Sequence, residues 1–71
     1  MDRMKAKAIR LFLGDSMEEF GKRIGVAPST ISAIENGRRD ITDYVRSKLV
    51  RIEMTLPKEF YTFFELMKKG A

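Results

Sequence analysis

The stretch SMEEFGKRIGVAPSTISAIENGRR, residues 16–39, contains the start and stop signals of two short helices. Ser16 and Glu19 form the S-x-x-E pattern of a capping box, which predicts a helix over residues 17–24 that a glycine ends. A second helix is predicted over residues 28–36, because it opens with proline, which is favoured at the first helical position. Only three residues separate the two helices. The stretch therefore predicts two helices that meet at a steep angle, a helix-turn-helix pair.

The apolar residues of this stretch are spaced so that they pack inside the angle between the two helices. Gly21 lies in the middle of the first helix, where glycine costs about 1 kcal/mol relative to alanine. We therefore expect another segment of backbone to pass close to Gly21. The residues expected inside the angle are Phe20, Ile24, Val26, Ile31 and Ile34.

The opposite face of the second helix carries small side chains, which would let the helix axis lie deep in a DNA major groove. Hydroxyl groups on such a face can bond to base edges, and methyl groups can contact thymine. Spacing alone leaves open an ordinary helical hairpin with a solvated face of small residues. The predicted base-reading residues are Pro28, Ser29, Thr30, Ser32 and Ala33, and Arg38 and Arg39 follow where phosphates are expected.

Helical patterns continue on both sides of this stretch, and no segment shows the alternation with period two that marks a strand. The chain is therefore predicted to be all-α. We expect a single DNA-binding domain over residues 1–71, built as a compact bundle of five short helices. The helices are expected at about residues 2–13, 17–24, 28–36, 43–54 and 57–69.

The composition excludes several kinds of function. The 71 residues include no cysteine and no histidine, which removes disulfides, thiolate and imidazole metal sites, and imidazole acid–base chemistry. No serine has a plausible base beside it and there is no glycine-rich phosphate loop, so we predict no enzyme activity, no metal and no cofactor. No apolar run approaches the roughly 20 residues that span a bilayer. The N-terminus lacks the features of a signal peptide, and we expect a cytoplasmic protein without membrane contact.

The charge balance allows a polyanionic partner. Fourteen Lys and Arg residues and ten Asp and Glu residues give a net charge of +4. A positive field of this size suits a nucleic acid, although it is also ordinary for a small soluble domain. Binding to RNA is disfavoured, because the aromatic residues that could stack on bases cluster on the last predicted helix rather than beside basic loops.

Residues 16–39 resemble the Cro and phage-repressor helix-turn-helix family, also called the Xre or lambda-repressor-like family. The resemblance extends from about Ile9 to Ile52. It implies a bundle of four or five helices, of which the second and third bind double-stranded DNA, and a sequence-specific repressor of the phage or mobile-element type. The matching features are Phe20-Gly21, Ile24-Gly25-Val26, Thr30-Ile31-Ser32 and Ile34-Glu35-Asn36-Gly37.

The resemblance also implies roles for individual residues. Arg10 and Glu35 match a structural ion pair that links the first helix to the third. The residues that match base-reading positions are Pro28, Ser29, Thr30 and Ala33, and those that match positions near phosphates are Ser16, Met17, Asn36 and Arg38.

Three departures from the family pattern bear on affinity. Met17 stands where the family often has glutamine, and the acidic residues Asp15, Glu18 and Glu19 bring negative charge near the same phosphate. The base-reading positions carry no Gln, Arg or Asn, so they offer no bidentate contact. We therefore predict modest affinity for the monomer, a strong dependence on salt, and a share of indirect readout.

The last predicted helix carries more apolar surface than the cover of a small bundle needs. Either all of this surface closes the core, or part of it forms a homodimer contact, since aromatic side chains and methionine are favoured at interfaces. The candidate contact residues are Phe60, Tyr61, Phe64 and Met67. An alternative function follows from the same surface: an antitoxin-like or adaptor module that binds a protein partner through this helix.

Overall fold

A computed structural model describes residues 1–70, which form five helices and no strand. The predicted all-α bundle with a helix-turn-helix is thereby confirmed. Within these residues, no helix has both the length and the apolar character that crossing a bilayer requires. The helices are α1 (Arg3–Leu13), α2 (Met17–Ile24), α3 (Pro28–Glu35), α4 (Asp43–Glu53) and α5 (Glu59–Gly70).

Short-range signals determine most of the helix ends. The side chains of Asp2, Ser16 and Thr42 each accept a hydrogen bond from a backbone N–H three residues later, and so cap α1, α2 and α4. Gly14 and Gly25 end α1 and α2 with φ angles of 76° and 77°. Glycine adopts this left-handed region without steric cost, which is why it stops a helix so well.

The start of α5 differs most from the prediction, because the helix begins at Glu59 rather than at Pro57. The N–H of Phe60 donates to the carbonyl of Pro57, and the N–H of Tyr61 donates to the carbonyl of Lys58, each at 3.0 Å. These bonds span three residues, so the chain makes a tighter turn before the α-helix proper. Every other helix end lies within one residue of its predicted position.

The core lies around α1, which packs against α3, α4 and α5, while α2 packs against α3 and α4. The ring of Phe12 in α1 meets Phe60 and Phe63 of α5 edge to face, with 5.5 Å between centroids in both pairs. Such aromatic pairs add to the stabilisation that burial alone provides. The buried apolar residues are Ala6, Ala8, Ile9, Phe20, Ile24, Ile31, Ile34, Val45, Leu49 and Phe60.

The expectation that Phe60 contributes to a dimer contact is wrong. Its side chain is 0% exposed and its ring stacks on that of Phe64 with 6.0 Å between centroids, so it closes the core. Phe64 and Met67 are half-buried against the same core. Tyr61 is 46% exposed, and Leu66, which the sequence pattern did not select, is 64% exposed.

Gly21 brings α2 against the turn that follows it. The carbonyl of Gly21 accepts hydrogen bonds from the N–H of Gly25 at 2.7 Å and from the N–H of Val26 at 2.9 Å. A Cβ on Gly21 would lie 2.5 Å from the carbonyl oxygen of Val26. The close backbone segment that the sequence predicts is thus confirmed, and it is the turn itself.

The substitution Gly21→Ala should lower the free energy of unfolding by about 1–3 kcal/mol, because the backbone of the turn must shift to admit a methyl group. On an open helix surface the same change would instead stabilise by up to about 1 kcal/mol. Gly70→Ala is the matched control, since nothing lies within 4 Å of its Cβ position. Equilibrium unfolding in urea measures the free energy of unfolding of both variants. A Gly21→Ala protein as stable as the wild type would contradict the close approach.

Candidate nucleic-acid interface

The backbone turns sharply between α2 and α3. A complete capping box starts α2: the Oγ of Ser16 accepts from the N–H of Glu19 at 3.0 Å, and the Oε1 of Glu19 accepts from the N–H of Ser16 at 2.8 Å. The helix ends at Gly25, and α3 starts at Pro28 after Ala27, whose side chain makes no capping bond. The chain is therefore not one continuous rod, and the two helices pack against each other.

The helix α3 buries one face and leaves the other open. Ile31 and Ile34 are each 3% exposed and belong to the core. The predicted base-reading residues all lie outside the core: Pro28 and Ser29 are exposed, and Thr30, Ser32 and Ala33 are half-buried. α3 therefore presents a face of short side chains to its surroundings, while the base-reading role stays a prediction.

A bidentate ion pair holds α3 against α1. Arg10 donates from Nε to the Oε2 of Glu35 at 2.6 Å and from Nη2 to its Oε1 at 2.9 Å. Its Nη1 donates to the carbonyl of Asp15 at 3.0 Å. Arg10 is only 8% exposed, and hydrogen bonding to Glu35 raises the pKa of Arg10 despite this burial. Paired bonds of this kind set the orientation of two groups as well as their separation.

The acidic residues near the start of α2 form hydrogen bonds or ion pairs with groups on α2 or at its start. Arg23 donates from Nε to the Oδ2 of Asp15 at 2.7 Å and from Nη2 to its Oδ1 at 3.0 Å. The carboxylate of Glu19 serves the capping box, and that of Glu18 lies 3.6 Å from the Nζ of Lys22. The negative charge expected to oppose a phosphate is therefore partly balanced inside the protein. Sequence reasoning missed Arg23, because a partner eight residues away leaves no periodic signal.

Two candidates for phosphate contacts, Ser16 and Met17, lie at the start of α2, and they differ in the hydrogen-bond donors that they offer. The Oγ of Ser16 accepts a hydrogen bond in the capping box, which leaves its O–H free to donate. The side chain of Met17 packs against the core. The donors available to a phosphate are therefore the O–H of Ser16 and the backbone N–H of Met17 at the positive end of α2.

The other phosphate candidates follow α3 and are all exposed. Asn36 donates from Nδ2 to the Oγ of Ser32 at 3.3 Å, so its amide is partly engaged within the helix. Arg38 and Arg39 form no ion pair with any residue of the range 1–70. Their guanidinium groups are therefore available to an external anion.

A cleft separates the α2–α3 turn from the start of α4. Tyr44 is 54% exposed and lines this cleft together with Thr30 and Arg39. The hydroxyl of Tyr44 lies 2.8 Å from the position that a Cβ on Gly25 would take, and the Nζ of Lys48 lies 5.4 Å from the centroid of its ring. The cleft thus extends from Thr30 on α3 to Arg39 in the segment that follows α3. Sequence reasoning did not select Tyr44, because only the packing of α4 brings it beside the turn.

The polar groups on and after α3 are suited to binding a nucleic acid. Hydroxyl groups, an amide and guanidinium groups on and after an exposed helix are the kinds of group that contact base edges and phosphates. Throughout residues 1–70, no set of His, Cys, Asp or Glu side chains is arranged to hold a metal ion. Every buried side-chain nitrogen or oxygen in that range also has a hydrogen-bond partner.

A comparison with protein families identifies the same part of the chain. The family model described as helix-turn-helix matches residues 7–52, which run from within α1 to within α4. This range includes the α2–α3 corner and all the predicted base and phosphate positions. Searches among curated proteins and among solved structures found no match.

The pair between Asp15 and Arg23 makes stability depend on pH. The hydrogen bond from Arg23 lowers the pKa of Asp15 below its ordinary value against the opposing effect of burial, and the charges of Arg23 and Arg10 lower it further. A carboxylate whose pKa is lowered in the folded state stabilises the fold above its unfolded pKa of about 3.9. This contribution is lost as the pH falls through the lower, folded pKa.

Asp15→Asn should lower the free energy of unfolding by about 1 kcal/mol at neutral pH, a small value because solvent screens the half-exposed Arg23. Below a pH of about 4, the Tm of the variant should fall less steeply than that of the wild type. Thermal unfolding at a series of acidic pH values measures both slopes. Equal slopes for the two proteins would show that Asp15 does not carry this pH dependence.

Proposed function

The chain belongs to the helix-turn-helix family of the Cro and phage-repressor type, a family of DNA-binding regulators, and we propose that it is a sequence-specific repressor. We propose that this repressor is of the type found in phages and mobile elements. We also propose that it acts in the cytoplasm. The observation that carries the proposal is the corner between α2 and α3, which leaves a face of short side chains open on α3. In this geometry α3 enters the major groove and α2 crosses the backbone.

The proposed base contacts come from the face of α3. Ser29 and Thr30 lie in its first turn, where a helix of this motif comes nearest to the base edges. Their hydroxyl groups bond to bases, and the methyl group of Ala33 contacts thymine. Since none of these side chains makes a bidentate contact, part of the specificity comes from the shape and deformability of the operator.

The proposed phosphate contacts flank α3 on both sides. The N–H of Met17 binds one phosphate at the start of α2, because helix N-termini attract anions. Asn36, Arg38 and Arg39 bind phosphates beyond the end of α3. Each phosphate neutralised by a cation releases counterions, so affinity falls steeply as the salt concentration rises.

Selection of binding sites from random-sequence duplexes, followed by gel shifts on the selected site, tests this function. Ser29→Ala and Thr30→Ala should each weaken binding by about 1 kcal/mol, roughly fivefold, because each loses a hydrogen bond. Thr55→Ala is the control, since Thr55 is exposed beyond the end of α4, outside both α3 and α5. Failure to select any sequence, or undiminished binding by both α3 variants, would contradict the proposal.

A homodimer through α5 would let two copies of α3 read two half-sites about one turn of DNA, or 34 Å, apart. Tyr61 and Leu66 offer exposed apolar surface on α5, and Phe64 and Met67 lie half-buried between the core and the outside. Aromatic residues and methionine are favoured in such contacts. The hydroxyl of Tyr61 donates to the Oε2 of Glu53 at 2.7 Å, so this ring is already oriented.

Leu66→Glu should convert this dimer to a monomer, because a charge would be buried at the contact without a partner. The control is Val50→Glu, since Val50 is 41% exposed on α4 and lies outside the proposed contact. Sedimentation equilibrium without DNA measures the oligomeric state. A wild-type protein that stays monomeric at high concentration would rule out this dimer.

A further inference from the structure

Arg3, in the first turn of α1, reaches across to the end of α3. The guanidinium of Arg3 occupies the space that a Cβ on Gly37 would need, with its Cζ 2.9 Å from that position. Gly37 follows the last residues of α3 and has a φ angle of 76°. Arg38 is the next residue, so the fold brings a cation from the start of the chain to the segment that carries Arg38 and Arg39.

Ion pairing within the protein separates the cations into two groups. Six of them have a carboxylate partner within 4.0 Å, and these are Lys5, Arg10, Lys22, Arg23, Arg46 and Lys68. The other eight of the fourteen have no such partner among residues 1–70, and they include Arg3, Arg38 and Arg39, all three of which are exposed. What distinguishes these three is their position, because Arg3 lies against Gly37, the residue before Arg38. Asp40 follows them, yet it forms no ion pair in that range either.

The donors of Arg3 are also unused. No side-chain hydrogen bond of Arg3 is formed within residues 1–70. A guanidinium carries five N–H donors. A role as a simple cap of α3 would use some of them on the carbonyl groups at the end of that helix. The contact with Gly37 therefore positions the Arg3 cation without consuming its capacity to bind an anion.

We propose that Arg3 is a further DNA-binding residue, which contacts a phosphate of the duplex beside the phosphates bound by Arg38 and Arg39. This inference rests on the proposed function. Arg3, Arg38 and Arg39 have no carboxylate within 4.0 Å to offset the repulsion between their charges, and a row of phosphates would offset it. The α1 residue thus extends the backbone contact beyond the helix-turn-helix, and Gly37 leaves the room that the Arg3 side chain needs.

The salt dependence of binding to a short random-sequence duplex tests this contact, because phosphate contacts do not depend on the base sequence. For Arg3→Gln, the slope of log Kobs against log salt should be smaller in magnitude than the wild-type slope by about 0.9 for each bound chain. Arg3→Lys should keep the wild-type slope, since it keeps the charge. Lys69→Gln, at the exposed end of α5, is the matched control and should also keep it.

A wild-type slope for Arg3→Gln would overturn the inference while leaving the proposed function intact. If the Tm of that variant were also below the Tm of Lys69→Gln, Arg3 would be assigned to the stability of the fold instead. A wild-type protein that binds neither this duplex nor any selected site would overturn the proposed function, and the role of Arg3 with it.

Discussion

The corner between α2 and α3 depends on a backbone contact that only glycine permits. The carbonyl of Gly21 accepts from two successive N–H groups of the turn, and the carbonyl of Val26 fills the place of a side chain. This contact fixes the direction in which α3 leaves the turn. Because Ile31 and Ile34 then point into the core, the small residues between them must point outward. The exposed face of α3 is thus a geometric consequence of how closely α2 and the turn pack.

Arg10 connects this corner to the rest of the bundle. Its guanidinium bonds to Glu35 at the end of α3 and to the carbonyl of Asp15 just before α2. The carboxylate of Asp15 is in turn held by Arg23. A buried ion pair costs desolvation and is often neutral for stability, so its clearest physical effect here is to orient the two arms of the corner relative to α1. DNA binding by such a pair of helices needs this fixed geometry, because α3 must enter the groove while α2 crosses the backbone.

The local signals predicted the elements well and the exposure of individual residues less well. Capping residues and glycine stops act over three or four positions, so the bounds of α2 matched and the ends of α3 and α4 differed by one residue. Periodicity identified the apolar face of α5, but it could not tell that Phe60 is fully covered while Leu66 stays open. That difference depends on where α1 crosses α5, and no spacing along α5 encodes the crossing.

The amino-acid sequence alone determined the five helices, the sharp turn after α2 and the small-residue face of α3, because each follows from contacts between residues a few positions apart. The tertiary structure decided which distant charges meet. Arg23 reaches Asp15, Tyr44 lies beside Gly25, and Arg3 lies over Gly37. These contacts depend on the angles at which the helices cross. The packing of side chains from several helices determines those angles. The placement of cations around α3 therefore became visible only in the folded chain.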